Sequence, residues 1–167
     1  MPTTTFHFKP GCSVKPTSTS ATHAEKELDV NLRHNELQRI LHDRLSTQYG
    51  KENVGTERPS GIGTKVDVVL KQGSRFWYYE IKTALTVRAC IREAFGQLLE
   101  YAYWPGTTEP EKLIVVGEAE LDSDGETYIK RLQERYELPI KYNQIVWERI
   151  RYVPSAVLPL DDVVPLS

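Results

Sequence analysis

Two long stretches of the chain repeat apolar residues at the spacing of an amphipathic helix. In the first, Arg33–Gln48, apolar side chains recur three and four residues apart, and Gly50 is placed to end the helix. The second, Val87–Trp104, has the same period and is followed by Pro105 and Gly106, a pair that stops helices. We therefore predict two helices that each bury one face against a core.

Shorter segments predict a third helix and the strands of a sheet. The helical pattern covers Asp122–Tyr136, with Ile129, Leu132 and Tyr136 expected to face inward. Extended segments rich in β-branched or aromatic residues are the predicted strands: Val54–Arg58, Lys65–Lys71, Arg75–Ile81, Lys112–Gly117 and Pro139–Ile145. The fourth of them, KLIVVG, is a continuous apolar run, which is typical of a strand buried on both faces.

The order of these elements, α-β-β-β-α-β-α-β, predicts one α/β domain with a central mixed sheet of four or five strands flanked by helices. A chain of 167 residues suits a single domain of this kind. Residues 1–22 are rich in Thr, Ser and Pro and are expected to form a flexible leader. The domain is then expected to span residues 23–150, followed by an irregular tail over residues 151–167.

Composition and charge narrow the class of protein. Hydrophobic residues make up 40% and charged residues 26%, as in ordinary globular proteins. No apolar run approaches the ~20 residues of a membrane helix, and the first residues lack a secretory pattern, so we expect a cytoplasmic protein. Cys12 and Cys90 lack metal-ligand spacing and do not predict a disulfide framework. A net charge of −2 means that nucleic acid would need a local positive surface.

The stretch VDVVLKQGSRFWYYEIK, residues 66–82, carries the candidate chemistry. Gly73-Ser74 fits a two-residue hairpin loop of type II′, which requires Gly at its first central position. Counting outward from that loop, Asp67 faces Glu80 on the neighbouring strand. One step further, Lys65 faces Lys82. We therefore expect the two carboxylates on one face of the sheet, with Cβ atoms about 5 Å apart.

Facing carboxylates repel each other, and such a pair destabilises a sheet by some tenths to about 1 kcal/mol. A bound Mg²⁺ or Mn²⁺ reverses the sign of the interaction, because hard divalent ions bind carboxylate oxygens and keep several waters. Such an ion acidifies a water and polarises a phosphoryl oxygen, and Lys82 lies on the face of Glu80 where it can orient that water. The alternative is an ordinary hairpin whose charges face solvent, and spacing alone does not separate the two interpretations.

Asp67 and the triplet Glu80-Ile81-Lys82 on the following strand, in this order of elements, resemble the PD-(D/E)XK nuclease superfamily. The resemblance covers about residues 33–145 and implies a restriction-endonuclease-like fold, although Val66 stands where the motif has Pro. It implies Mg²⁺ as cofactor, with Mn²⁺ as a substitute, and a catalytic role for Lys82. Since such domains often dimerise to cut both strands, it also implies a homodimer.

The same resemblance extends to three residues on the predicted helices. Family members often add a Glu from the first helix, which implies a metal-binding and catalytic role for Glu36. Gln97 and Tyr101 match the Gln-xxx-Tyr motif of the RecB-like branch, which implies that they support the site or the nucleic acid. The alternatives are a solvated charge for Glu36 and side chains at the margin of the core for Gln97 and Tyr101.

Three basic residues are further candidates for contact with phosphate. Lys65 is the stronger one, because the hairpin register places it beside Lys82. Arg88 and Arg92 lie about 140–180° around their helix from Gln97 and are not expected on the active-site face. A phosphate contact and a surface pairing with Glu93 are both open for these two arginines.

Together these features predict metal-dependent phosphodiester hydrolysis, with DNA as the expected nucleic acid, by an endonuclease of defence or repair. The alternative is a catalytically silent nuclease-fold module that binds nucleic acid or a partner protein. A third interpretation is an interaction domain in which the charges have no catalytic role.

Overall fold

The structure is a computed structural model, which describes residues 8–12 and 25–146, with side chains from residue 29 in the second range. Three helices are α1 (Glu25–Tyr49), α2 (Val87–Tyr103) and α3 (Ser123–Tyr136), and a short 3-10 turn covers Lys51–Asn53. Five strands are β1 (Val54–Pro59), β2 (Lys65–Gln72), β3 (Arg75–Ile81), β4 (Lys112–Gly117) and β5 (Ile140–Gln144). The predicted elements are confirmed, with α1 beginning eight residues earlier than its apolar pattern.

The five strands form one mixed sheet in the order β1-β2-β3-β4-β5. Strand β2 is antiparallel to both β1 and β3, while β4 runs parallel to both β3 and β5. Parallel neighbours need a crossover, which α2 provides between β3 and β4 and α3 provides between β4 and β5. The prediction of an α/β domain with a mixed sheet is therefore confirmed.

Two buried clusters lie on opposite faces of the sheet and define three layers. On one face α1 packs through Leu37, Leu41 and Leu45 against alternate residues of the central strands. On the other face α2 and α3 cover the remaining strand residues, including Tyr78 and Val115. The apolar side chains of β4 enter both clusters, as expected for a strand buried on both faces.

The predicted hairpin register is confirmed along most of its length. Gly73 has a φ of 63°, as the first central residue of a type II′ loop requires. From this loop the pairs run from Gln72 with Arg75 to Val68 with Tyr79. Asp67 and Glu80 occupy the next position, where regular pairing stops.

The residues before the first helix and after the last strand are described only in part. Residues 8–12 lie along β1, where Gly11 forms a parallel bridge with Gly55. Most of the predicted leader and all of the predicted tail, residues 151–167, lie outside the described residues. In the described ranges, no helix combines the length and apolar character that a membrane crossing requires.

Candidate active site

The regular pairing of strand β2 is interrupted at Asp67 on both sides. Its pairing with β1 skips the step between Arg58–Val66 and Thr56–Val68, where Glu57 has a left-handed φ of 53°. A left-handed backbone is unusual for a residue other than Gly, and here it interrupts the ladder. Since the pairing with β3 ends at Val68, the backbone and side chain of Asp67 need partners other than strand neighbours.

The carboxylate of Asp67 accepts a backbone hydrogen bond from β3 where the pairing of the two strands has ended. Its Oδ2 atom accepts a hydrogen bond of 2.8 Å from the backbone N–H of Ile81. The same oxygen lies 3.0 Å from Nε2 of His34, which reaches it from α1. Both hydrogen bonds that the described residues give this carboxylate therefore go to one oxygen, Oδ2, and fix its orientation.

Gln38 fixes the backbone at the same point. Its side chain is only 3% exposed, and its Nε2 donates 2.9 Å to the carbonyl oxygen of Asp67. The same nitrogen donates 3.1 Å to Oε1 of Glu57, the residue with the left-handed backbone. One amide of α1 therefore holds β1 and β2 together where their ladder is interrupted.

We expect the substitution Gln38→Leu to lower the free energy of unfolding by about 1–3 kcal/mol, because it removes the donor from two acceptors in a buried setting. Urea unfolding followed by circular dichroism measures this change. Gln48→Leu is the matched control, since it makes the same chemical change at an exposed position of the same helix. Surface changes of that kind stay within about ±0.5 kcal/mol, and an equal effect of both substitutions would contradict the role given to Gln38.

Glu80 is a buried acid with one oxygen in use. Its side chain is 2% exposed, and Oε1 accepts a 2.8 Å bond from Nζ of Lys82. Oε2 is buried and has no hydrogen-bond partner among the described residues. Burial, followed by the negative charge of Asp67, raises the pKa of Glu80 to about 7, against the opposing effect of the Lys82 ammonium. The raised pKa means that burial favours the protonated form despite the Lys82 ammonium, and a further cation near Oε2 would favour the anion.

Lys82 connects Glu80 to the helix on the second face of the sheet. Its Nζ donates 2.6 Å to Oε1 of Gln97 on α2, whose Nε2 lies 3.5 Å from the hydroxyl of Tyr101. Tyr101 is buried, which raises the pKa of its phenol and keeps it neutral. The resemblance placed Gln97 and Tyr101 at the site; in the structure Gln97 contacts Lys82 directly, and Tyr101 contacts Gln97.

The two carboxylates have different supports. Asp67 is bonded by His34 of α1 and by the Ile81 N–H of β3. Glu80 is bonded by Lys82, which in turn contacts Gln97 of α2. The predicted pair of Asp67 and Glu80 lies one step beyond the last regular pair, Val68 with Tyr79, and the two side chains bond different partners. Each carboxylate affects the other, because the charge of Asp67 raises the pKa of Glu80. The site lies where the β2–β3 pairing ends and one pair of the β1–β2 ladder is missing.

Asp67 and Glu80 supply carboxylate oxygens, the type of ligand that a magnesium ion prefers. Oε2 of Glu80 has no partner among the described residues, and Mg²⁺ is commonly bound through one or two carboxylates with several waters. In residues 8–12 and 25–146, no group of three or more His, Cys, Asp or Glu side chains is close enough to hold a metal by itself. A pair of carboxylates with water is therefore the arrangement that the donor set allows.

Two of the predicted site residues lie elsewhere in the structure. Both oxygens of Glu36 accept from Arg39 on the outer side of α1, because Glu36 lies about 140–160° around the helix from His34. Lys65 is exposed and pairs with Pro59 of β1, while the backbone N–H of Lys82 bonds to Val116 of β4. The predicted contact of Glu36 with the site and the pairing of Lys65 with Lys82 are not found.

His34 and Gln38 are the site residues that the sequence did not indicate. They are four residues apart and lie beside Leu37 and Leu41 on the inward stripe of α1. Polar side chains inside an apolar helical stripe are the signal that identifies such residues, because burial of a polar group requires a partner.

Comparison of the chain with protein-family models, with curated proteins and with solved structures finds no match in any of the three.

Proposed function

We propose that this protein is a metal-dependent endonuclease of the PD-(D/E)XK type, with a restriction-endonuclease-like fold, that hydrolyses phosphodiester bonds in DNA. The proposal depends on one observation above all. Glu80 is a buried acid beside a second acid, and its Oε2 has no partner among the described residues. In a domain selected only for stability, that arrangement is unfavourable, whereas a site for a divalent cation requires it.

Each side chain at the site has a role in this proposal. Asp67 and Glu80 would hold Mg²⁺, or Mn²⁺ in its place, and His34 together with the Ile81 N–H fixes the orientation of the Asp67 carboxylate. When bound, the ion supplies Lewis acidity toward a phosphoryl oxygen and lowers the pKa of water.

Lys82 carries the positive charge of the site. Its Nζ is held between Glu80 and Gln97, and in that position it orients the attacking water and neutralises charge on the phosphate. Gln97 and Tyr101 keep the ammonium in place. Glu36 is not part of this site, because Arg39 holds it on the outer side of α1.

The test is to incubate supercoiled, linear and single-stranded DNA with the protein in Mg²⁺, Mn²⁺ or EDTA. We expect metal-dependent nicking that Asp67→Ala and Lys82→Ala each reduce by at least about 100-fold, because the first removes a metal ligand and the second removes the positive charge beside the phosphate. Asp43→Ala and Lys141→Ala are matched controls, since both residues are exposed and lie outside the site. They should cut as the unchanged protein does.

Other results of the same assay have definite meanings. DNA that is retarded on a gel but remains intact in every metal supports the catalytically silent binding module instead. Cleavage that persists in EDTA, or that Lys82→Ala leaves unchanged, contradicts the proposed mechanism. A sedimentation measurement with and without DNA tests the homodimer that the resemblance implies.

A further inference from the structure

A second concave site lies between α2 and α3, away from the carboxylates. It encloses about 560 Å³, within the range of about 300–1,000 Å³ that is usual for small-molecule sites. Its floor is apolar and includes Ile91 and Phe95 of α2. Tyr128 of α3, which is 45% exposed, forms part of the opposite wall. We call this cavity the α2–α3 groove.

The groove is separate from the proposed active site. Arg88 and Arg92, which line it, lie about 180° and 140° around α2 from Gln97. Gln97 contacts Lys82 on its own side of the helix. A ligand in the groove is therefore not a ligand of the carboxylate site.

Arg88 and Arg92 give one wall of the groove a positive charge. They are four residues apart, so their side chains are neighbours on the surface of α2. Within residues 8–12 and 25–146 neither guanidinium forms an ion pair, and the predicted pairing with Glu93 is not found. Two adjacent guanidinium groups without carboxylate partners suit the oxygens of a phosphate, which they can bind bidentately.

The wall formed by α3 offers a hydrogen-bond acceptor. Asp122 caps the start of the helix, where its Oδ1 accepts a 2.7 Å hydrogen bond from the backbone N–H of Gly125, and its carboxylate is a negative charge on this wall. Asp124 is exposed, lines the groove, and has no bond to another described residue. Its carboxylate repels a phosphate but binds the hydroxyl or amino groups of a ligand.

We propose that the α2–α3 groove binds a mononucleotide. Arg88 and Arg92 bind the phosphate, the aromatic faces of Phe95 and Tyr128 pack against the base, and Asp124 accepts from a ribose hydroxyl or a base amine. A nucleotide carries an anionic end, an aromatic body and hydrogen-bond donors, and each meets its complement on the groove wall. This inference does not depend on the proposed nuclease activity.

Simpler ligands leave part of the groove unmatched. Inorganic phosphate does not cover Phe95 and Ile91, and a purely apolar molecule removes water from two guanidinium groups without replacing their hydrogen bonds. Two fragments of a nucleotide are therefore informative. The nucleoside lacks the phosphate that the arginines would bind, and the sugar phosphate lacks the base that the aromatic side chains would contact.

Isothermal titration of the full chain with AMP, adenosine and ribose 5-phosphate tests the proposal. We expect AMP to bind with a Kd below about 1 mM and each fragment to bind at least about tenfold more weakly, because each fragment omits a charged or an aromatic contact. Arg88→Gln and Arg92→Gln should each weaken the binding of AMP about tenfold or more. Arg131→Gln, an exposed arginine on α3 outside the groove, is the matched control and should change nothing.

Three results would overturn the proposal. One is the absence of a binding heat when protein shown to be folded by circular dichroism is titrated with AMP to millimolar concentration. The second is AMP binding that Arg88→Gln and Arg92→Gln leave unchanged. The third is AMP binding that Asp67→Ala abolishes, which places the ligand at the carboxylate site; loss of DNA cleavage alone leaves the groove proposal standing.

Discussion

Replacement of Glu80 by Gln is expected to stabilise the metal-free protein at pH 8 by about 1–3 kcal/mol. The folded-state pKa of Glu80 is raised to about 7 from its ordinary value of 4.5, so the native state retains a proton that the unfolded chain releases. Between about pH 4.5 and pH 7 the folded protein therefore loses stability as the pH rises. Gln has nearly the same shape and cannot ionise, so the substitution removes this loss.

Urea unfolding in EDTA at pH 5 and pH 8 measures the effect. The difference between Glu80→Gln and the unchanged protein should be large at pH 8 and small at pH 5. Glu134→Gln is the control, because Glu134 is an exposed acid whose only ion pair in the described residues is with Lys130 on the surface of α3. A Glu80→Gln protein that is less stable at both pH values would mean that the ion pair with Lys82 outweighs the burial of the acid.

Removal of the His34 ring is expected to weaken Mn²⁺ binding and DNA cleavage by about 10–100-fold, the usual loss when a residue that orients a metal ligand is removed. In the structure His34 Nε2 lies 3.0 Å from Asp67 Oδ2. Glu36→Ala should change Mn²⁺ affinity and the cleavage rate less than about threefold, because Arg39 holds that carboxylate away from the site. Titration with Mn²⁺, followed by electron paramagnetic resonance, measures affinity without requiring turnover.

The variants His34→Ala and Glu36→Ala change two residues of α1 that lie on opposite sides of the helix. His34 faces Asp67, and Glu36 faces outward. A larger loss of Mn²⁺ affinity for Glu36→Ala would contradict the arrangement described here. His34→Gln is a useful third variant, since an amide retains hydrogen bonding to Asp67 but lacks the imidazole nitrogen as a strong metal ligand. Recovery of affinity with Gln indicates that His34 positions Asp67 and does not bind the metal itself.

Local sequence features were sufficient to predict most of the fold. The hairpin is the clearest case, because Gly73-Ser74 permits a tight loop and alternation then fixes which residues face each other. The three helices followed from their apolar period. In the last turn of α3 the prediction was wrong: Tyr136 was expected to face inward, but it is 60% exposed, beyond the cluster that Ile129 and Leu132 enter.

The details of the candidate site depend on tertiary contacts and were less predictable. A helical stripe has two edges, and the sequence does not say which edge faces the carboxylates; the family resemblance favoured Glu36, whereas the docked helix presents His34 and Gln38. The missing pair at Asp67 in the β1–β2 ladder was also not predicted, since it coincides with a left-handed backbone at Glu57 that the sequence does not signal. Nuclease activity and the metal stay predictions until the assays are done.

Because Asp67 is oriented through α1 and Glu80 through α2, the distance between the two carboxylates depends on how well both outer layers are packed onto the sheet. Partial loosening of either helix on heating or in mild denaturant should separate the acids while most of the sheet is still intact. The protein is then expected to become inactive at a lower temperature than the one at which it unfolds.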